Sequence, residues 1–222
     1  MDSKPLIIAY SGSLDAFENK PKNTLFKKLI QWFWTYKHDT VDASTRSAYY
    51  LIKALAILKS KYQIGPDKIK FHFWGNINPI NKKQAQINGV SEYFEFSGYL
   101  PKEESLSKLN RSNLLFLPLE KSNSSESGTL FIPGKLYEYL NSGKPILGLC
   151  EDSDCKSILE KSGLGICVEP DNPDRIAALL NQLVTQPNVL ESLQANKDFI
   201  AQFDFRNKTS ELARVFESLI VK

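Results

Sequence analysis

Short apolar runs alternate with helical patterns along most of this chain of 222 residues. Two of the runs, residues 114–117 and 146–149, are apolar without interruption. Strands that are covered on both faces carry this pattern, and they are typical of parallel sheets with helices on either side. Strand–helix alternation with short connections therefore predicts an α/β fold, a doubly wound Rossmann-like parallel sheet of about six strands with helices on both faces.

The expected strands are residues 6–10, 69–74, 93–96, 113–117, 145–149 and 165–168. The expected helices between them are residues 44–62, 81–88, 102–111, 134–142, 153–162 and 173–185. In the first of these helices Leu51, Leu55, Leu58 and Tyr62 fall on one face, which predicts the buried side. Residues 174–221 carry no strand pattern and predict two or three helices, with turns near residues 186–187 and 203–204.

Composition limits the classes of protein to which the chain can belong. Its hydrophobic fraction of 42% is enough for a core, yet no apolar run approaches the ~18 residues that a membrane span requires. The net charge of +3, with Lys and Glu mixed along the chain, gives no argument for a nucleic acid partner. Cys150, Cys155 and Cys167 are too few for a disulfide framework, so we expect reduced, partly buried thiols in a cytoplasmic protein.

Residues 131–146 predict one short helix with a marked start and a marked stop. Pro133 suits the start because its ring sets a helical φ and its missing N–H is not needed there. Gly143 suits a left-handed residue after the last turn, and Pro145 prevents the helix from continuing. The unpaired N–H groups and partial positive charge of such a helix N-terminus suit a phosphate group.

Charged side chains extend this prediction to a nucleoside diphosphate. Lys135 adds a positive charge near the helix start, and Glu138 lies about one turn further on. A carboxylate beside a phosphate site suits hydroxyl groups, and a ribose supplies them. Gly12, after the first strand, lets a ligand approach the backbone closely, although a glycine there can also simply close a turn. The alternatives for Lys135 and Glu138 are a solvated lysine and a surface glutamate paired with a lysine.

Several blocks of the sequence, in order and with matching spacing, resemble the C-terminal, donor-binding domain of GT-B glycosyltransferases. These blocks are residues 95–101, 114–119, 128–129, 132–140 and 142–145. The similarity runs from about residue 5 to about residue 185 and is closest to the large retaining bacterial family of the group 1, or family 4, type. It implies a donor-binding half that serves the transfer of sugar from a nucleoside-diphosphate sugar to a glycan or lipid-linked acceptor.

The resemblance also implies roles for individual residues. Glu138 corresponds to the glutamate that bonds the ribose, and Tyr99 and Leu100 correspond to residues that border the base. The diphosphate would meet Gly12, Pro133, Gly134 and Lys135. Many members have a glutamate where this chain has Leu130, so Glu126, Gly128 and Thr129 are the candidate sugar contacts. The basic residue that usually follows the first strand is Lys20, Lys22 or Arg46. No catalytic residue is assigned, and neither a metal site nor a cofactor besides the donor substrate is expected.

Two regions depart from a simple Rossmann-like domain. The first is an inserted segment at residues 15–43, within a donor-binding domain that is expected over residues 1–185. The second is residues 186–222, which are expected to form helices that pack on this domain or on an acceptor domain missing at the N-terminal side. Without that domain we expect the chain to be catalytically silent, as an expression fragment or as one subunit of a split enzyme. Residues 19–38 are basic and aromatic, which suits either the surface of an anionic membrane or an extra packed helix. The former would place the protein at the inner face of the cell membrane.

Two other functions have the same expected architecture. One is a non-catalytic module that binds a nucleotide or another phosphorylated ligand. The other is an enzyme that epimerises or hydrolyses nucleotide sugars. A screen of the domain against nucleoside-diphosphate sugars, together with the upstream reading frame, would separate these alternatives.

Overall fold

Six parallel strands form one sheet in the computed structural model, which describes residues 4–15, 44–121 and 132–220. The strands are β1 (Leu6–Ser11), β2 (Ile69–Trp74), β3 (Phe94–Ser97), β4 (Leu114–Pro118), β5 (Ile146–Leu149) and β6 (Gly165–Val168). Their order across the sheet is β3-β2-β1-β4-β5-β6, and each neighbouring pair is parallel. The predicted fold class is confirmed, and the chain reverses its direction across the sheet between β1 and β4.

Besides a short 3-10 helix at Ser91–Tyr93, nine α-helices connect or follow these strands in the described part of the chain. They are α1 (Tyr49–Tyr62), α2 (Pro79–Ile87), α3 (Lys102–Arg111), α4 (Gly134–Ser142), α5 (Asp154–Lys161), α6 (Pro173–Thr185), α7 (Asn188–Glu191), α8 (Lys197–Ala201) and α9 (Phe205–Ile220). All six predicted interior helices are present. The first begins at Tyr49 rather than at residue 44, because residues 44–47 form a turn in which the Ser47 N–H donates to the Ser44 carbonyl.

The prediction of two or three helices over residues 174–221 is wrong in number, because four helices occupy that region. The additional elements are α7 and α8, which have only four and five residues and so carry no readable periodicity. Asn196 caps the start of α8, because its side chain accepts a hydrogen bond from the Phe199 N–H. The two predicted turns, near residues 186 and 203, are present.

Both faces of the sheet are covered by helices. Helices α1 and α6 pack together on one face, where Leu51, Leu55 and Leu58 are fully buried as predicted. Helices α3, α4 and α5 cover the other face with their own buried side chains. Every residue of β4 and of β5 is buried, which explains why these two strands are apolar throughout.

Helix α9 differs from the others because every residue from 205 to 219 is exposed. Its apolar side chains include Phe205, Leu212, Val215, Phe216 and Leu219, with exposed fractions between 54% and 83%. Phe203, just before it, is half-buried against the ring of Tyr137 and does not share this exposure. A single helix of this length is only marginally stable in water, so an apolar stripe of this kind favours a packing partner.

The three thiols are free and lie near one another around β5 and β6. Cys150 and Cys155 are buried, while Cys167 is half-buried. A hydrogen bond with Cys167, reinforced by burial, raises the pKa of Cys150. The prediction of unpaired, partly buried thiols is confirmed. No helix in the described ranges is long and apolar enough to cross a membrane.

Candidate functional site

A cavity of about 240 Å³ lies beyond the carboxyl ends of β1 and β4, where the strand order reverses. Ligands of doubly wound sheets bind in the crevice at this point, because the loops on either side separate there. Its lining residues are Tyr10, Arg46, Leu117, Pro118, Leu119, Glu120, Pro133, Gly134 and Lys135. The cavity therefore contains three of the four residues that the sequence predicts for the diphosphate.

A larger cavity, of about 700 Å³, lies at the opposite edge of the sheet, where the strands begin. Lys4, Arg111 and Lys144 are among its lining residues. None of the predicted site residues borders it, so its size does not make it the candidate site.

Helix α4 begins at the wall of the smaller cavity. Pro133 precedes the helix with an extended backbone (φ −71°, ψ 138°), and within the described ranges its start has no side-chain cap. The first N–H groups of a helix have no acceptor within it, so this start offers donors to the cavity. At the other end Gly143 adopts a left-handed φ of 67°, and its N–H donates to the Leu140 carbonyl. Both boundaries of α4 agree with the prediction from Pro133 and Gly143.

The side chain of Lys135 crosses the end of β1. Its Nζ lies 3.8 Å from the centroid of the Tyr10 ring. Gly12 has a φ of +140°, which favours glycine, and a Cβ placed on it would lie only 2.3 Å from that Nζ and displace the lysine. The structure thus brings together Gly12 and Lys135, which are 123 positions apart (135 − 12) in the sequence.

Burial sets the charge of this lysine. Burial, and after it the nearby Arg46 guanidinium, lowers the pKa of Lys135 to about 8, while the Glu138 carboxylate acts in the opposite direction. In the ranges that the structure describes, no carboxylate lies within ion-pair distance of the Lys135 ammonium. The lysine is therefore a partly dehydrated cation at the cavity wall, where an anion would relieve the cost of its burial.

Arg46, one of the three basic residues that the sequence left open, lines the cavity. Its guanidinium Nη1 lies 2.8 Å from Oε1 of Glu120, and its Nε lies 3.8 Å from Oδ2 of Asp15. The hydrogen bond to Glu120 is the main reason that the pKa of Arg46 is raised. Lys20 and Lys22 lie outside the described residues.

Glu138 is exposed on α4, one turn after Lys135. Within the described ranges its carboxylate makes no hydrogen bond or ion pair, so the alternative of a surface pair with a lysine has no support there. The next residue, Tyr139, is buried, and its hydroxyl accepts a hydrogen bond of 3.4 Å from the Ser11 N–H. This contact holds α4 against the carboxyl end of β1.

Of the remaining predicted residues that the structure describes, Tyr99 and Leu100 do not line the cavity. Tyr99 follows β3 and is 86% exposed, whereas Leu100 is half-buried and packs against the core under α3, α4 and α5. Glu126, Gly128 and Thr129 lie outside the described residues, as does segment 19–38. Their roles stay predictions.

Two residues of the cavity, Tyr10 and Glu120, were not predicted from the sequence. Both occupy the carboxyl end of a strand that borders the reversal point, Tyr10 in β1 and Glu120 two residues after β4. That position is a signal that sequence reasoning can use, provided that the strand order is known.

Residues 41–186 match the family model of glycosyl transferases group 1, and the match covers more than half of the chain. The chain therefore belongs to the group 1 glycosyltransferase family, as the resemblance implied. A comparison with curated proteins finds no significant match.

Solved structures show the same fold. The structure of Anabaena Alr3699/HepE in complex with UDP has a TM-score of 0.60 and 15% identity, over 97% of this chain and 49% of that chain. Sucrose-phosphate synthase from Thermosynechococcus elongatus has a TM-score of 0.60 and 11% identity, over 99% and 46%. WaaG, described as a glycosyltransferase involved in lipopolysaccharide biosynthesis, has a TM-score of 0.56 and 16% identity, over 96% of this chain and 46% of that chain. The chain thus spans about half the length of each of these proteins.

Proposed function

We propose that this chain binds the nucleoside diphosphate of a sugar donor and is the donor-binding half of a glycosyltransferase. The observation that carries the proposal is the convergence of Lys135 and the start of α4 on one cavity at the reversal point of the sheet, with Gly12 directly beside the Lys135 ammonium. Membership of the group 1 family supports glycosyl transfer. Structures of a similar fold are described with UDP and with UDP-glucose, which supports a nucleotide sugar as the ligand.

The geometry supports a defined orientation of this ligand. The diphosphate would meet the first N–H groups of α4 and the ammonium of Lys135, because both are positive and the ammonium has no ion-pair partner among the described residues. The ribose would meet Glu138, which lies one helical turn, about 5.4 Å, further along α4. The base would then extend toward Tyr99 and Leu100, and the sugar toward Glu126, Gly128 and Thr129. No cofactor or metal ion is needed for this binding mode.

We propose an acceptor-binding domain on the N-terminal side as the partner of this chain. Two observations support it: the chain spans about half of the similar structures, and α9 exposes an apolar stripe that the domain leaves uncovered. Residues 186–222 would pack against that domain. The acceptor would be a glycan or a lipid-linked glycan, and contact of segment 19–38 with the inner face of the membrane would bring the site close to a lipid-linked acceptor.

Calorimetric titration tests the binding proposal directly. The ligands are UDP, GDP, ADP and dTDP, each compared with its free nucleoside, and the variants are Lys135→Ala and the matched control Lys144→Ala at the opposite edge of the sheet. Charge-assisted hydrogen bonds contribute about 1.5–3 kcal/mol each, so Lys135→Ala should weaken the preferred diphosphate by roughly tenfold or more. Lys144→Ala should leave it unchanged, and the nucleoside should respond to neither. If both variants matched the parent chain, the diphosphate would lie elsewhere.

A further inference from the structure

Tyr10 is a buried residue of the site to which the proposed binding mode assigns no task. Only 3% of its surface is exposed, and its ring packs against Phe73 and Phe116 beneath the cavity. Its hydroxyl donates a hydrogen bond of 2.5 Å to the Ser13 carbonyl, which holds the ring in one orientation at the end of β1. A ring fixed at two sides in this way is a rigid platform for whatever lies on its face.

The group on that face is the ammonium of Lys135, 3.8 Å from the ring centroid. The face of an aromatic ring attracts a cation, and the attraction grows when the cation has lost part of its hydration. Burial raises the pKa of Tyr10, so the hydroxyl stays neutral and the ring holds the lysine through its π face rather than through a phenolate charge. On the other side Gly12 leaves the room that the ammonium occupies.

The charged and titratable groups around this lysine come from two elements and two loops. They are Tyr10 on β1, Arg46 before α1, Glu120 after β4 and Glu138 on α4 itself. Arg46 repels the ammonium but is bound to Glu120 at 2.8 Å, and Glu138 attracts it without an ion pair. The ring of Tyr10 is therefore the closest described group that favours the observed position of the ammonium.

We propose that Tyr10 is a positioning residue for the donor, whose ring holds the Lys135 ammonium across Gly12 where the diphosphate meets it. This inference rests on the proposed function, because it assigns the lysine to the diphosphate. A lysine that is already in place loses less conformational freedom when the ligand binds. Loss of the platform should then weaken the diphosphate and leave the nucleoside unaffected.

The test is a double-mutant cycle on UDP affinity with Tyr10→Leu, Lys135→Met and the two together, and Tyr10→Phe as the conservative variant. Tyr10→Leu should weaken UDP by roughly three- to thirtyfold, the range expected for a cation–π contact, with uridine affinity unchanged. Tyr10→Phe keeps the ring face and should retain most of the affinity. The double variant should bind UDP no more weakly than Lys135→Met alone, since the ring acts only through the lysine.

The outcomes separate the two proposals. Losses that add in the double variant, or a Tyr10→Phe variant as weak as Tyr10→Leu, overturn the positioning role and leave the diphosphate site in place. A Lys135→Met variant with full UDP affinity overturns both. If Tyr10→Leu does not fold, NMR of the parent chain decides. Ring currents from Tyr10 should then shift the Hε signals of Lys135 upfield relative to those of Lys144, at the opposite edge of the sheet. An unshifted signal overturns the inference.

Discussion

At the scale of single residues, the charge of Lys135 couples ligand binding to pH. Burial lowers its pKa to about 8, so the ammonium is mostly charged at pH 7 and mostly neutral at pH 9. A bound diphosphate stabilises the charged form, and affinity must therefore fall as pH rises through this pKa. We expect UDP affinity to drop by roughly tenfold between pH 7 and pH 9, since one pH unit beyond a pKa leaves about a tenth of the group protonated.

Titration calorimetry at several pH values measures this dependence. The Lys135→Met variant is the control, and its weaker binding should show little change over the same interval. A parent chain with equal UDP affinity at pH 7 and pH 9 would mean that the lysine does not face the phosphates.

Gly12→Ala tests the close approach of the backbone to this lysine. The new Cβ would lie 2.3 Å from Nζ, so the lysine would have to leave its position, and the φ of +140° would be strained as well. We expect lower UDP affinity together with a stability loss of about 1–2 kcal/mol. Gly89→Ala is a matched control, because Gly89 also has a positive φ (+65°) but nothing within 4 Å of the added Cβ. Thermal unfolding should show a loss in both variants, and UDP titration only in Gly12→Ala.

Glu138→Gln tests the ribose assignment with a nearly isosteric change. A hydrogen bond to a charged group contributes about 1.5–3 kcal/mol, so UDP affinity should fall by roughly tenfold or more. The side chain is exposed and has no partner among the described residues, so the thermal midpoint should hardly change. Equal UDP affinity for the variant and the parent chain would remove Glu138 from the binding site.

At the scale of elements, α4 and α9 show two different relations between sequence and environment. Helix α4 carries its own start and stop signals, and its observed bounds, Gly134–Ser142, are the predicted ones. Helix α9 is regular over Phe205–Ile220, yet the domain gives it no cover. Its amphipathic pattern predicts a buried face, and we expect the proposed acceptor-binding domain to cover that face.

The double substitution Leu212→Glu/Phe216→Glu tests this view of α9. Both side chains are more than half exposed, so the thermal midpoint of the isolated chain should stay within about 2 °C, as is usual for surface substitutions. In the chain extended by its upstream domain, the same change should weaken domain association, measured by sedimentation or by turnover. Thr209→Glu/Glu217→Gln, on exposed polar positions of the same helix, is the control. An unaffected two-domain protein would show that another surface covers the stripe.

At the scale of the whole molecule, the reading as one half of an enzyme makes a kinetic prediction. Transfer requires the acceptor in near-attack geometry beside the donor, and such positioning contributes about 7–11 kcal/mol to the lowering of a barrier. We expect this chain alone to bind the donor without transferring sugar, and the upstream domain, in cis or added separately, to restore turnover. Transfer by the isolated chain at an ordinary rate, of order 1 s⁻¹ or more, would contradict this.

The sequence by itself determined the elements and the class of fold. Apolar strands, helical periodicity and the flanking Pro133 and Gly143 are local signals, and they placed all six strands and the bounds of α4 within a residue or two. The same local patterns carried the family resemblance that the match over residues 41–186 bore out. Among the described elements, the short helices α7 and α8 and the 3-10 helix at Ser91–Tyr93 escaped, because three to five residues are too few to show a period.

The tertiary structure alone decided which side chains meet. The contact of Lys135 with Tyr10 and Gly12, and that of Arg46 with Glu120, join residues from distant parts of the chain. These contacts depend on the order of the strands, which places β1 beside β4 and so brings their carboxyl ends to one cavity. Local propensity acts over a few neighbouring residues and carries no information on such pairs. The lowered pKa of Lys135 has the same origin, since burial at the meeting point of β1 and α4 produces it.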